Sequence, residues 1–238
     1  NETAGEHYTP REIIRLMVEL LIASDRAALT GPAPVRTVYD PAAGTGGMLT
    51  IAEERIRELN ANAKVEVYGQ ELNPETWAIA RSDLMILNKA PDRMVLGNSL
   101  TGDDGWKGQR FDYILANPPY GVDWKAYADP IKKESERGFD GRYGAGVPRV
   151  SDGSLLFLQH MLSKMKSVAD DPATPWIDGG ARVAIVLSGS PLFAGAAGGG
   201  ESEIRRWIIE NDWLDGIVAL PDQMFYNTGI YTYVWILT

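Results

Sequence analysis

A glycine-rich turn between an apolar strand and an amphipathic helix constrains this chain most. Val35-Arg36-Thr37-Val38-Tyr39-Asp40 is apolar and β-branched, which predicts a buried strand. It runs into Pro41-Ala42-Ala43-Gly44-Thr45-Gly46-Gly47, and a helix is predicted from about Met48 to Leu59. That order is a nucleotide-type βα unit. Gly44, Gly46 and Gly47 permit positive φ and close approach of backbone to a ligand, and the helix N-terminus favours a carboxylate or phosphate. Asp40, at the strand end, would meet a cationic group. The spacing is G-x-G-G and no Lys-Ser/Thr follows, so neither the dinucleotide fingerprint nor a P-loop is present.

Further strands follow the same scheme. Val65–Glu71 predicts a second one with Glu71 at its tip, where an acidic residue either holds both hydroxyls of a ribose or starts the next helix. Asn73-Pro74 opens a helix through Asn88, with Trp77, Ile79, Ala80, Leu84 and Leu87 as its buried side. Arg93–Asn98 is a third strand. Its tip, Asn98-Ser99, is either a reader of a purine edge or an ordinary turn.

Phe111–Ala116 predicts a fourth buried strand, and it delivers Asn117-Pro118-Pro119-Tyr120 to the carboxyl edge of the sheet, where open α/β folds bind ligands. Two prolines fix φ and remove two backbone donors. The carbonyls of Asn117 and Pro118 therefore lack a nearby chain N–H, and Tyr120 adds a flat wall. Such a stiff pocket of acceptors suits a planar group carrying an NH2. The alternative is a Pro-Pro turn with a satisfied Asn and a core Tyr.

Elsewhere, Thr9-Pro10-Arg11-Glu12 reads as a capped helix start, with Thr9 as N-cap, Pro10 at N1 and Glu12 closing a capping box. Ile13, Ile14, Met17, Val18, Leu20 and Leu21 form its apolar stripe. His7-Tyr8 ahead of it is either a hydrophobic staple or a lid over a ligand. Gly121 to about Val150 has no periodicity but interleaves Lys125, Lys132, Lys133, Arg137, Arg142 and Arg149 with Trp124, Tyr127, Phe139 and Tyr143. That reads as a long loop, either solvated or suited to phosphates and unstacked bases. A helix over Ser154–Val168 leaves His160 facing solvent or a local partner. Asp178-Gly179-Gly180 is a turn, Ala181–Leu187 a fifth strand, Ser190–Ser202 a mobile loop and Glu203–Glu210 a helix. Trp213–Leu220 and Tyr231–Leu237 are separated only by a turn, so they should pair antiparallel.

The 238 residues are 45% hydrophobic, enough for one sizeable core. There is no cysteine, hence no disulfide or thiolate nucleophile, and the two histidines are far apart in sequence, so no metal site is expected. No long apolar span or signal peptide is visible, and a soluble cytoplasmic protein without membrane attachment fits. A net charge of −9 argues against this chain alone gripping a polyanion.

HYTPRE, DPAAGTGG, YGQELNP, GNSL, ANPPYG, VSDGSLLF, IRRWI and ALPDQMFYNTGI occur here in the order found in N6-adenine DNA methyltransferases. The chain most resembles the methylation (M) subunit of type I restriction–modification systems, over nearly its whole length. The resemblance implies the class I, Rossmann-like α/β fold: a seven-stranded, mostly parallel sheet with helices on both faces and a last antiparallel strand. It implies a catalytic domain over residues 1–238 of a longer subunit that also carries a helical N-terminal domain and a C-terminal tail. S-adenosyl-L-methionine would be the cofactor, contacted by His7, Tyr8, Thr9, Pro10, Arg11, Asp40, Ala42, Gly44, Thr45, Gly46, Gly47, Glu71, Leu72, Asn73, Asn98, Ser99 and Asn117. Asn117, Pro118, Pro119, Tyr120 and Phe225 would serve catalysis on a flipped-out adenine, the base stacking on Tyr120 and Phe225. Implied partners are double-stranded DNA, a specificity (S) subunit, a restriction (R) subunit and a second M subunit. Ala43 and Asn98 depart from the family pattern, which often has Cys and Asp there. Rival readings are a glutamine-amide protein methyltransferase with the same pocket, an RNA base methyltransferase, and a noncatalytic cofactor-binding scaffold.

Overall fold

The computed structural model describes residues 9–32, 34–102, 104–167, 180–225 and 229–238. His7, Tyr8, Val168, Asp178-Gly179 and Tyr226-Asn227-Thr228 lie outside the described residues. Seven strands form one sheet: β1 (Val35–Asp40), β2 (Lys64–Glu71), β3 (Met94–Leu96), β4 (Tyr113–Ala116), β5 (Arg182–Ser188), β6 (Leu214–Ala219) and β7 (Thr232–Leu237). Their spatial order is β3-β2-β1-β4-β5-β7-β6. β1 pairs parallel with β2 and β4, and β4 with β5, whereas β7 runs antiparallel between β5 and β6. The expected antiparallel hairpin of the last two strands is therefore present, and it closes one edge of an otherwise parallel sheet.

The two-residue period of the strands sorts their side chains into two cores. Val38, Leu115, Ala184, Val186, Val234 and Ile236 face one side, where they meet α1 (Arg11–Ile22), α3 (Gly47–Leu59) and α4 (Pro74–Ile86). Tyr39, Ile114, Ala116, Val183, Ile185, Leu187, Trp235 and Leu237 face the other, against α6 (Ser154–Ser163) and α8 (Gly200–Glu210). A four-residue α2 (Arg26–Leu29) joins α1 to β1.

Several sequence expectations are corrected. Pro10, not Thr9, stands at the N-cap of α1 without a side-chain cap, and its carbonyl accepts from the N–H of Ile13 and Ile14. Of the residues read as the buried side of α4, only Ala80 and Leu84 are buried, Trp77 is partly buried, and Ile79 and Leu87 are exposed. β3 is the sheet edge, so just one narrow side of α4 has strand beneath it. Helix α6 stops at Ser163, and the segment expected as a mobile loop holds α7 (Ser190–Phe193) and the first turn of α8.

The largest correction concerns the stretch after Tyr120. It contains α5 (Ala128–Ser135) and two short 3-10 turns, Lys125–Tyr127 and Gly138–Asp140. Trp124, Ile131 and Tyr143 are buried there in a third small core with Leu100 and Leu156. Two aromatics thought available for base stacking are thus packing residues. Trp124 also donates through Nε1 to the Arg149 carbonyl at 3.0 Å.

Candidate active site

The strand order reverses between β1 and β4: the chain leaves β1 toward β2 on one side, and β4 lies on the other. A crevice opens at the carboxyl ends of such a pair, and ligands bind there. Asp40 ends β1 and Asn117 follows β4, so the fold brings the glycine turn and the Asn-Pro-Pro-Tyr stretch to opposite lips of one crevice.

The glycine turn is built as its composition predicted. Gly44 and Gly46 adopt φ of +54° and +84°, and Gly46 is the left-handed N-cap of α3. Glu71 braces the turn: Oε2 accepts from the Gly44 N–H at 2.8 Å and Oε1 from the Asn73 N–H at 2.8 Å. Asn73 caps α4 by accepting from Glu75 and Thr76. Leu72 is exposed. Asp40 is fully buried, with Oδ1 accepting from the Ala42 N–H at 2.9 Å and Oδ2 without any partner. Burial pushes its carboxyl up to about 8; the Ala42 N–H opposes this and the Glu71 charge adds to it. A buried carboxylate oxygen without a donor is a socket for a cationic group.

The tip of β3 lies beside this. Asn98 accepts the Leu100 N–H on Oδ1 at 2.9 Å, and the Ser99 hydroxyl donates to the Pro41 carbonyl at 2.6 Å. Both residues are buried.

Across the crevice, the Asn117 amide is held from two sides. Its Nδ2 donates to Thr9 Oγ1 at 3.0 Å, and its Oδ1 accepts from the Tyr120 hydroxyl. Thr9, read from sequence as a cap and cofactor residue, therefore spends its hydroxyl on Asn117. No local signal could show this, because the two lie far apart in sequence. Pro118 is buried and Pro119 half-buried. Tyr120 is 9% exposed and Phe225 4%, and their rings meet edge to face at 6.1 Å. Neither offers an open stacking face here, so an incoming base has to part this contact. Burial raises the Tyr120 phenol, against the opposing pull of its bond to Asn117, so it stays a neutral donor.

A groove of about 410 Å³ lies alongside, lined by Arg11, Ile14, Thr45, Gly47, Thr50, Ile51, Asp83, Ile86 and Leu87. It brings Arg11, Thr45 and Gly47 together but not Asp40, Glu71, Asn98 or Asn117. The shared carboxyl edge of the paired strands β1 and β4, not this groove, brings the two halves of the candidate site to one side of the sheet. Among the described residues, no group of three or more His, Asp or Glu could hold a metal ion, and no helix is long and apolar enough to cross a membrane.

Sequence reasoning also missed His160. It is fully buried, with Nε2 3.1 Å from the Tyr39 hydroxyl and Nδ1 3.0 Å from Arg142 Nη1. Burial, with Arg142 and Lys164 nearby, drives it well below the usual imidazole range, so it is neutral.

A mostly parallel seven-stranded sheet with one antiparallel strand, a glycine turn after β1 and a crevice at the β1/β4 reversal together define the class I, Rossmann-like fold of S-adenosylmethionine-dependent methyltransferases. The model of the N-6 DNA Methylase family matches residues 1–238, and the chain belongs to that family. Among its relatives, the type I restriction enzyme MjaVII methylase subunit of Methanocaldococcus jannaschii is 30% identical over 98% of this chain and 36% of its own length. The HindI methylase subunit of Haemophilus influenzae is 29% identical over 98% of this chain and 46% of its own. The chain thus spans less than half the length of these relatives. A type I restriction–modification methyltransferase subunit from Streptococcus thermophilus superposes with a TM-score of 0.77 at 27% identity, covering 100% of this chain and 46% of that one.

Proposed function

We propose that this chain is the catalytic domain of a type I modification subunit and transfers a methyl group from S-adenosylmethionine to N6 of an adenine in DNA. One observation carries the reading: Asp40, buried with an unpartnered Oδ2 beside the glycine turn, and Asn117-Pro118-Pro119-Tyr120 stand at the carboxyl ends of the neighbouring strands β1 and β4, at the sheet's reversal point. The relatives are named as methylase subunits of type I restriction enzymes, which supports the same assignment.

These residues fit the cofactor's chemistry. Asp40 Oδ2 would pair with the ammonium of the methionine part. The N–H groups at Thr45 and Gly47, at the start of α3, would take its carboxylate, and the Gly46 N–H, which donates to the Ala43 carbonyl at 2.8 Å, would have to exchange that bond to join them. Glu71 would accept from the ribose hydroxyls, for which it must share or exchange its bonds to Gly44 and Asn73. Asn98 and Ser99 would border the purine. When bound, S-adenosylmethionine supplies the sulfonium methyl.

On the substrate side, extruding an adenine costs roughly a few kcal/mol. The carbonyls of Asn117 and Pro118 would accept its two N6 protons and hold the nitrogen in line with the methyl. Thr9 and Tyr120 keep the Asn117 amide from rotating. Positioning supplies most of the rate, so no strong base is required at the motif.

Exposed Lys125, Lys132, Lys133 and Arg137 are interleaved with exposed Asp123, Asp129, Glu136 and Asp140, and the chain's net charge is −9. A separate specificity subunit would therefore provide most of the grip on DNA, with a restriction subunit and a second modification subunit as further partners. The test is a labelled-methyl assay on DNA, on a glutamine-bearing protein and on RNA, each with and without a specificity subunit. Methylation of adenine in DNA that depends on that subunit is the expected result. Label on protein or RNA instead would overturn the proposal.

A further inference from the structure

Arg142 lies in the segment whose sequence had no periodicity, yet it makes the densest set of polar contacts near the crevice. Its side chain is 13% exposed. Nη1 donates to the Ser99 carbonyl at 2.6 Å and Nη2 to the Thr101 carbonyl at 2.9 Å. The adjacent Tyr143 hydroxyl donates to the Leu100 carbonyl at 2.8 Å. Three successive carbonyls of the loop after β3 are thus held by one guanidinium–phenol pair. Leu100 itself is buried in the small core of the 121–150 module, against Trp124, Ile131 and Tyr143.

The guanidinium is fixed from behind. Nε and Nη2 bind the Glu134 carboxylate at 2.7 and 2.6 Å in a two-pronged pair. Arginine has only donors, so His160 Nδ1 must be the acceptor of the 3.0 Å contact with Nη1. The His160 proton then sits on Nε2 and points to the Tyr39 oxygen at 3.1 Å. Tyr39 directly precedes Asp40. The network therefore runs from the module that follows Tyr120, through the β3 loop, to the end of β1.

We infer that Arg142 is a positioning residue for the nucleoside end of the cofactor site, clamping the Asn98–Thr101 loop from the substrate-side module. The inference rests on the reading of Asn98 and Ser99 given under Proposed function. Without Arg142, the Ser99 and Thr101 carbonyls lose the guanidinium, and the loop that presents Asn98 and Ser99 keeps only its weaker ties to Tyr143 and Pro41. A lysine cannot replace it, because one ammonium does not span the fork between Ser99, Thr101 and Glu134.

Isothermal titration of the purified protein with S-adenosylhomocysteine and with 5′-methylthioadenosine tests this. The second ligand has the same nucleoside but no amino-acid part. Arg142→Gln should weaken both ligands by the same factor, about tenfold, and Tyr143→Phe by about threefold, the size of one or two lost hydrogen bonds. Arg142→Lys should recover only part of the loss. Asp40→Asn is the comparator, because it should weaken S-adenosylhomocysteine alone. Unchanged affinity for both ligands in folded Arg142→Gln, or a loss confined to S-adenosylhomocysteine, would overturn the inference. Should Arg142→Gln not fold, Tyr143→Phe decides by the same two criteria. An unaltered protein that binds neither ligand would instead defeat the cofactor reading itself, and this inference with it.

Discussion

Asp40→Asn turns the buried socket into a measurable quantity. The side chain is fully buried, one oxygen holds the Ala42 N–H, and the other has no donor. Its carboxyl rises from 3.8 to about 8, chiefly by burial. The folded chain therefore keeps a proton that the unfolded chain has already lost between those two pH values. Stability from this group is fully present below the unfolded value and falls as pH rises toward 8. The slope over that window is about 1.4 kcal/mol per pH unit. Asparagine has nearly the same shape and does not titrate. Between pH 5 and pH 7 the unfolding free energy of Asp40→Asn should therefore gain about 2.7 kcal/mol on the unaltered protein. Urea titrations of both proteins at pH 5, 6 and 7 measure this, and the difference between them cancels other titrating groups. Saturating S-adenosylhomocysteine should shrink the gap, because its ammonium pairs with the ionised carboxylate. Parallel pH profiles without ligand would refute the argument that Asp40 is held neutral by burial.

Asn117→Ala should abolish methyl transfer while cofactor affinity, measured by calorimetry, stays within about twofold. Tyr120→Phe keeps the ring but loses the donor to Asn117 Oδ1, so kcat should fall about tenfold or more with cofactor affinity unchanged. Thr9→Val should act like Tyr120→Phe, and Thr9→Ser should restore most of the rate, because only the hydroxyl reaches Asn117; equal rates for valine and serine would exclude this role. Gly200→Ala places a Cβ 1.8 Å from the Val147 carbonyl oxygen, which is backbone and cannot turn aside. Denaturant unfolding should show a loss of about 2–3 kcal/mol, the cost of forced overpacking.

Local chemistry made much of the site legible in advance. The turn from Pro41 to Gly47 could be read because glycine adopts φ near +54° and +84° at less cost than a residue with a Cβ. Asn117-Pro118-Pro119-Tyr120 could be read because proline removes donors wherever it sits. The pairing of β6 with β7 followed from a connection too short for a helix. By contrast, the helix after Asn73 misled: Ile79 and Leu87 are apolar and read as buried, yet both are exposed. The 121–150 module was opaque for the opposite reason. Its core is completed by Leu100 and Leu156 from outside the segment, so no internal period betrays it.

By itself, then, the order of residues determined the strands, the left-handed glycine turn, the acceptor-rich proline pair and the lack of any thiol chemistry. These depend on backbone sterics and side-chain type, which act over a few residues. Only the tertiary structure decided that Thr9 and Tyr120 hold Asn117, that His160 and Arg142 are buried together, and that Asp40 has an oxygen without a donor. Apart from the local Tyr120–Asn117 bond, these depend on groups brought together from separate segments of the chain. Such meetings are fixed by the order in which the strands are laid side by side, for which no single segment carries the signal.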